Sequence, residues 1–166
     1  ASFTVGLWDG AGSTGDAPLA AFTEALTGAG ITGVVRDDLW CDIWEKAMFV
    51  TCFGALGAVA QRPVGVLRTT LRSSLVGMIT EAAAAARATG VTLREDAVAR
   101  TVAYIDAQPE DATSSMQRDI TDGTAGELDS QLGAIIRAGD RGGSDTPLLD
   151  LVHGLYDCAW TVHRAP

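Results

Sequence analysis

Eleven of this chain's twelve strongly basic residues are arginines; the twelfth, Lys46, stands near the head of the apolar stretch "DIWEKAMFVTCFGALGAVA". An amine so placed has two readings. Asp42 lies four residues earlier, the favourable helical offset for an exposed ion pair worth ~0.3 kcal/mol. On a helix, Leu39, Ile43, Val50 and Phe53 share the same face, so the amine also projects from an apolar wall. Desolvation lowers a lysine pKa from its ordinary ~10.4 and makes the group a usable proton donor or nucleophile near neutrality. The residues alone leave both readings open.

Other groups able to do chemistry are sparse. Ser114 and Ser115 precede Met116 and Asp119, as a helix N-cap and its neighbours would. Glu127 follows Gly126, where a first-turn acid favours the helix dipole. His153 and His163 read as the polar face of a terminal helix, and no metal site is expected from them. We read no dinucleotide-binding glycine loop, P-loop, HExxH or nucleophile elbow in the chain.

The elements that must position these groups are mostly helical. Phe3, Val5 and Leu7 alternate as in a short strand, which is expected to have no partner in this chain; "ITGVV" reads either as a short strand or as an extended link. Asp16 is placed to cap a helix with Leu19, Phe22 and Leu26 on one face. Asp37 and Asp38 open the helix carrying Lys46, expected over residues 38–55 or beyond and apolar all round in its second half, as a central helix is. Pro63 suits the first turn of a short helix, and a long one follows through Leu71, Leu75, Met78, Ile79 and the alanine run to Gly90. Further helices are expected through Val98, Val102 and Ile105, then from Pro109, then through Leu128, Leu132, Ile135 and Ile136 after Gly123 and Gly126. Pro147 opens the last, with Leu149, Val152, Leu155 and Tyr156 inward. The sum is an all-α bundle of six to seven helices with a short N-terminal strand.

Length and composition set the outer limits. A chain of 166 residues, 47% hydrophobic and 20% charged, is expected to fold as one domain with a full core. A formal charge of −9 argues against nucleic acid and anionic membrane partners, which need a basic surface. The apolar run around Lys46 reads as too short and too mixed to span a bilayer. Cys41, Cys52 and Cys158 show no metal spacing and read as buried thiols of a reducing compartment, hence a cytoplasmic location. The N-terminus has no basic segment ahead of an apolar one, so no signal peptide is expected.

Taken in order, "IWEKAMF", "RPVGVLR", "EAAAAARATGV", "SSMQRDITDGTAGELDSQLGAIIRAG" and "TPLLDLVHGLY" resemble the C-terminal domain of the ketopantoate reductase (2-dehydropantoate 2-reductase) family of pantothenate biosynthesis. The likeness runs over nearly the whole chain and includes the twelve-residue step from Ser115 to Glu127. It implies the helical substrate-binding and dimerisation domain of an NADPH-dependent 2-oxo acid reductase, whose active site lies in a cleft against a Rossmann domain. It also implies that Lys46 protonates the substrate carbonyl, that Glu127 helps arrange that site, and that Ser115 meets the substrate's carboxylate end. Three substrate-contact positions depart from the family pattern: Val50, Gly54 and Val64 stand where the family has asparagines. A substrate more apolar than ketopantoate is the consequence expected.

The resemblance implies a homodimer and a small-molecule substrate as partners, and a Rossmann domain missing from this chain, with residues 1–15 as the strand and loop of the inter-domain junction. This chain alone is accordingly expected to bind no cofactor and to transfer no hydride. Two other readings stand beside it. One is a cofactor-independent cyclase or isomerase using Lys46 and Glu127 on an apolar substrate in an enclosed pocket lined by Val50, Phe53 and Val64. The other is a non-catalytic dimerisation or binding module.

Overall fold

The computed structural model describes residues 2–8, 12–122 and 127–163. They form two compact units, residues 1–43 and 44–166. In the first, strand β1 (Ser2–Val5) is followed by a 3₁₀ turn (Ser13–Gly15), helix α1 (Ala17–Gly28) and strand β2 (Thr32–Val35). The strands pair in parallel, Ser2 opposite Thr32 through Val5 opposite Val35. Of the two readings of "ITGVV" the strand is the one adopted, so the expectation that the N-terminal strand has no partner in this chain is overturned: β2 pairs with it. Parallel neighbours need a crossover of about a dozen residues, which α1 supplies.

Asp16 caps α1 as expected, its Oδ1 accepting from the Leu19 N–H at 2.9 Å. Of the face expected of Leu19, Phe22 and Leu26, Leu19 and Leu26 are half-buried with Thr23, which packs so closely on β2 that a Cβ on Gly33 would lie 2.9 Å from its Cβ; Phe22 is 50% exposed, and no residue of α1 is fully buried. Two short strands are too narrow a sheet to cover a helix face.

Helix α2 (Leu39–Ala60) carries Lys46. Of the two acids before it, Asp38 is the cap, its Oδ1 accepting from the Cys41 N–H at 3.1 Å. Asp37 turns instead to Thr14, accepting from its hydroxyl at 2.7 Å and its N–H at 2.8 Å. Those bonds, the hydroxyl's first, hold the Asp37 carboxyl below its ordinary pKa. By length and mean hydropathy α2 is the one helix among the described residues able to cross a bilayer, so the expectation that it is too short does not hold. Half of that segment is nevertheless buried within the protein, as in a core helix.

The second unit is helical: α3 (Val64–Leu67), α4 (Arg72–Ala88), α5 (Ala97–Asp106), α6 (Ser115–Thr121), a π-helical turn (Asp129–Gly133), α7 (Ala134–Gly142) and α8 (Pro147–His163). The eight α-helices among the described residues, with one small sheet, make the all-α architecture the sequence implies. Residues 51–58 of α2 are buried on every side, and Leu75, Met78, Ile79 and four alanines of α4 join that core. The small side chains let α7 approach closely: a Cβ on Gly142 would lie 2.9 Å from the backbone carbonyl carbon and oxygen of Ala88. Glu81 of α4 caps α8, accepting from the N–H groups of Leu148 and Leu149 at 3.0 Å.

Three expectations need correction here. Leu155 is 46% exposed, because Leu149, Val152 and Tyr156 take the inner stripe of α8. Cys158 is exposed as well, whereas Cys41 and Cys52 are buried. The segment beyond Glu127 is not regular α-helix but begins with the π turn, a feature that recurs near functional sites. Gly123 and Gly126, expected as breaks before it, lie outside the described residues.

Candidate active site

The outer face of α2 and the face of α5 opposite it enclose a half-open cleft of about 410 Å³ lined by Glu45, Lys46, Phe49, Val50, Arg100, Thr101 and Tyr104. Helical spacing explains the lining, since Lys46, Phe49 and Val50 fall at i, i+3 and i+4, and Arg100 and Tyr104 at i and i+4. Two contacts hold the walls together. The Arg94 guanidinium, just before α5, binds Glu45 in a two-pronged ion pair, Nε to Oε1 at 2.7 Å and the second prong to Oε2. Further along, Phe49 and Tyr104 meet edge to face with centroids 4.7 Å apart. Thr101 turns its hydroxyl inward to the Ala97 carbonyl at 2.9 Å.

Lys46 therefore sits on a cleft, but not as a desolvated amine: it is exposed. Nor does it pair with Asp42, whose Oδ2 accepts from Arg36 Nε at 3.1 Å. Lys46 makes no ion pair among the described residues. Arg94 takes up the charge of the neighbouring Glu45, which leaves the ammonium free to meet a ligand.

The remaining candidate positions are placed as follows. Val50, half-buried, lines the cleft one turn beyond Lys46. Gly54, one turn further, is buried under Met116, whose Cβ and Cε would stand 3.6 Å from a Cβ added there. This contact seats the start of α6 on the same stripe of α2, about 12 Å along the axis from Lys46. Ser115 is the exposed first residue of α6; the cap itself is Ser114, whose Oγ accepts from the Gln117 N–H at 3.0 Å. Val64 is fully buried, its N–H donating to the Ala112 carbonyl at 3.0 Å. Glu127 is exposed and accepts from Gln131 Nε2 at 2.8 Å. No hydrogen bond or ion pair joins Lys46 to Glu127 among the described residues. The cleft thus brings together Lys46 and Val50, while Ser115, Glu127, Gly54 and Val64 lie outside its lining. Phe53 is also outside it, buried and stacked on Phe49 at 5.8 Å.

Sequence reading missed Glu45, Phe49, Arg100, Thr101 and Tyr104, the groups that complete the cleft. The available signal was weak: Arg100 and Tyr104 lie one turn apart on the outward face of an amphipathic helix, and nothing local says what they face. It also passed over residues 10–15, "GAGSTG", which do read G-x-G-x-x-G between a strand and a helix. The surroundings do not suit a dinucleotide. The Asp16 carboxylate already occupies the α1 N-terminus, where a pyrophosphate would bind. The acid after β2, Asp37, is bound to Thr14 instead of being free for a ribose hydroxyl.

Residues 38–157 match the family described as "Ketopantoate reductase PanE/ApbA C terminal". A curated 2-dehydropantoate 2-reductase of Caulobacter vibrioides is 29% identical over 126 residues, 75% of this chain and 43% of the relative. The crystal structure of 2-dehydropantoate 2-reductase from Methylococcus capsulatus superposes with a TM-score of 0.88 at 24% identity, covering 98% of this chain and 52% of that one. A D-mandelate dehydrogenase, in a ternary structure with NADH and anilino(oxo)acetate, has a TM-score of 0.83 at 19% identity over 99% of this chain and 68% of its own. This chain spans about half the length of the reductases it matches.

Proposed function

Starting from a chain that belongs to the ketopantoate reductase C-terminal domain family, we propose that it supplies the substrate-binding face and the proton-donating lysine of a 2-oxo acid reductase. The observation that carries this is Lys46 itself, an accessible ammonium on a cleft whose carboxylate neighbour is already neutralised by Arg94. A cation beside a ketone oxygen stabilises the negative charge that develops as the carbonyl carbon is reduced, and it then delivers a proton to that oxygen. The family's reductant is NADPH. The residues described here do not form its cradle, so a dinucleotide-binding domain has to provide it. Ser115 and Glu127 keep their family roles in this proposal as groups that complete the site when substrate and cofactor are present. A homodimer and a cytoplasmic setting belong to the same proposal.

Val50 on the cleft, in place of an asparagine, favours a substrate with apolar surface next to its carbonyl over one rich in hydroxyls. The D-mandelate dehydrogenase neighbour, seen with anilino(oxo)acetate, is an enzyme of the same fold holding such a compound. The cofactor-independent alternative asks for an enclosed pocket lined by Val50, Phe53 and Val64. The half-open cleft on α2 contains only the first of these, and no further observation favours that alternative.

The test is reduction of 2-oxo acids by NADPH in the enzyme containing this chain joined to a dinucleotide-binding domain. Lys46→Ala is expected to lower kcat by ~10²–10⁴ with a smaller change in KM, as for loss of a positioned acid. Unchanged kcat would remove Lys46 from the chemistry. The chain by itself is expected to show no NADPH binding at micromolar concentrations in calorimetry, and tight binding would contradict the cradle argument.

A further inference from the structure

We infer that His153 is a positioning residue, a proton-sensitive tie between α8 and the π turn that follows Glu127: protonated it holds both Asp129 and Asp157, and neutral it releases Asp129. Its bearing on the reaction rests on the reading of Glu127 as a group that completes the site; the tie itself does not. Nε2 of the imidazole lies 3.3 Å from Asp129 Oδ1, and Nδ1 lies 3.2 Å from Asp157 Oδ2. Ionised carboxylates only accept, and a neutral imidazole donates from just one of its two nitrogens. With one proton, the other nitrogen would turn its lone pair on a carboxylate oxygen. Only the doubly protonated ring satisfies both contacts, so the arrangement is that of the imidazolium. His153 is also the least exposed of the three side chains, at 22% against 72% for Asp129 and 64% for Asp157.

The tie acts on a turn built around a missing side chain. Asp129 Oδ1 also accepts from Arg137 Nη1 at 3.0 Å, and Arg137 Nη2 donates to the Asp129 carbonyl at 3.1 Å. Both groups lie over Gly133, where a Cβ would come within 2.8 Å of Arg137 Nη1 and closer still to Asp129 Oδ1. Asp129 opens the π turn and Gly133 closes it, so the cluster spans the turn and His153 adds its bond to α8. When His153 keeps a single proton, one carboxylate has to be given up. Asp129 retains the Arg137 guanidinium, whereas Asp157 lies one turn along the same helix, where side chains already meet. The proton therefore stays with Asp157, and the π turn loses its bond to α8. Neighbouring charges are engaged elsewhere: Glu81 of α4 binds the first N–H groups of α8, Asp150 accepts from Thr146 at 3.1 Å, and Asp119 of α6 faces Tyr156. Histidine is the side chain whose charge ordinarily changes between about pH 5 and 8. The tie is complete at the acid end of that range and lost toward the alkaline end. Gln131, inside the turn, donates to the Glu127 carboxylate at 2.8 Å, so a loosened turn loosens Glu127.

Amide hydrogen exchange of the chain tests this without any turnover, read as protection factors at about pH 5.5 and about pH 8. Protection in residues 129–133 is expected to fall about two- to fivefold between the two, relative to the core amides of α4, which report on the whole fold. His153→Phe, which keeps a ring and loses both nitrogens, should hold the turn at its low value at either pH. Asp157→Asn should do the opposite. Its amide donates to Nδ1, so Nε2 keeps the proton and bonds Asp129, and protection stays high at both. Intact α4 protection establishes that the variants are folded. Turn protection that does not change with pH in the wild type overturns the inference, as does a pH dependence that survives in His153→Phe or low protection throughout in Asp157→Asn. In the enzyme joined to a dinucleotide-binding domain, His153→Phe should flatten the change in kcat/KM that the wild type shows over the same range. The two readings fail separately. Wild-type turnover in Glu127→Gln removes Glu127 from the chemistry and leaves the tie standing, whereas pH-independent protection removes only the tie.

Discussion

Each residue of the α2 stripe has a different freedom to change. Val50 is half-buried on the cleft, and an asparagine there finds solvent and ligand within reach, so Val50→Asn should cost less than about 1 kcal/mol in chemical denaturation. Gly54 is another matter. A Cβ fits at 3.6 Å from Met116, but the amide of Gly54→Asn would have to displace that side chain inside a packed core. A loss of ~1–3 kcal/mol is expected, with α6 loosened from α2. Restoring both family asparagines should therefore recover a polar contact only at position 50, seen as improved KM for a hydroxylated 2-oxo acid in Val50→Asn alone. Glu45 is constrained in the opposite sense. Its carboxylate is 15% exposed and bound by Arg94, so Arg94→Ala leaves a mostly buried charge without its main counterion. The expected loss of ~1–3 kcal/mol by urea denaturation reflects partial solvent access to the pair. These constraints show what is legible in a sequence. The helix carrying Lys46 follows from its apolar run, but Arg94, Arg100 and Tyr104 lie some fifty residues downstream, and only tertiary packing puts them opposite it.

Among the elements, α8 depends most on a distant residue. Its first turn has free N–H groups, and Glu81 of α4 supplies the acceptor for two of them while adding negative charge at the positive end of the helix dipole. Glu81→Ala should destabilise the protein by ~1–2 kcal/mol. Glu81→Gln, which keeps an acceptor, should lose less, and amide hydrogen exchange should rise first in α8. Pro147 marks where that helix starts, so its boundary was readable, but its cap was not, because the capping side chain is 67 residues away. The β1–β2 pairing was hidden for a similar reason. A four-residue strand shows its alternation, yet a parallel partner is named by no local pattern, and "ITGVV" is equally good as a link. The π turn after Glu127 was hidden too, since Leu128, Leu132 and Ile135 give the same inward spacing in either helix type. In α1 the face was legible at Leu19 and Leu26, but Thr23, not Phe22, completes it, and a two-stranded sheet buries none of the three fully.

For the molecule as a whole, local ion pairs and overall charge act in opposite directions as pH falls. With a formal charge of −9 at pH 7, the folded chain repels itself, and that repulsion relaxes as carboxylates protonate toward the isoelectric point near pH 4.5. Particular carboxylates resist protonation. A hydrogen bond from Arg72 holds Asp106 below its ordinary pKa, and one from Arg137, with help from His153, does the same for Asp129. In each case the folded-state pKa lies below the unfolded one. The stability these groups contribute is therefore fully present above the unfolded value of 3.8 and is lost as pH falls through the folded value. Both groups are exposed enough for salt to screen their pairs, which limits what each contributes. Thermal melts across pH should accordingly show a midpoint that holds or rises from pH 7 to about 4.5 as repulsion fades, and then drops below about pH 3.8 as the pairs are lost. Added salt should raise the midpoint at pH 7, where repulsion dominates. A midpoint that declines steadily from pH 7 downward and falls with salt at neutrality would mean that the ion pairs, not the net charge, govern stability throughout.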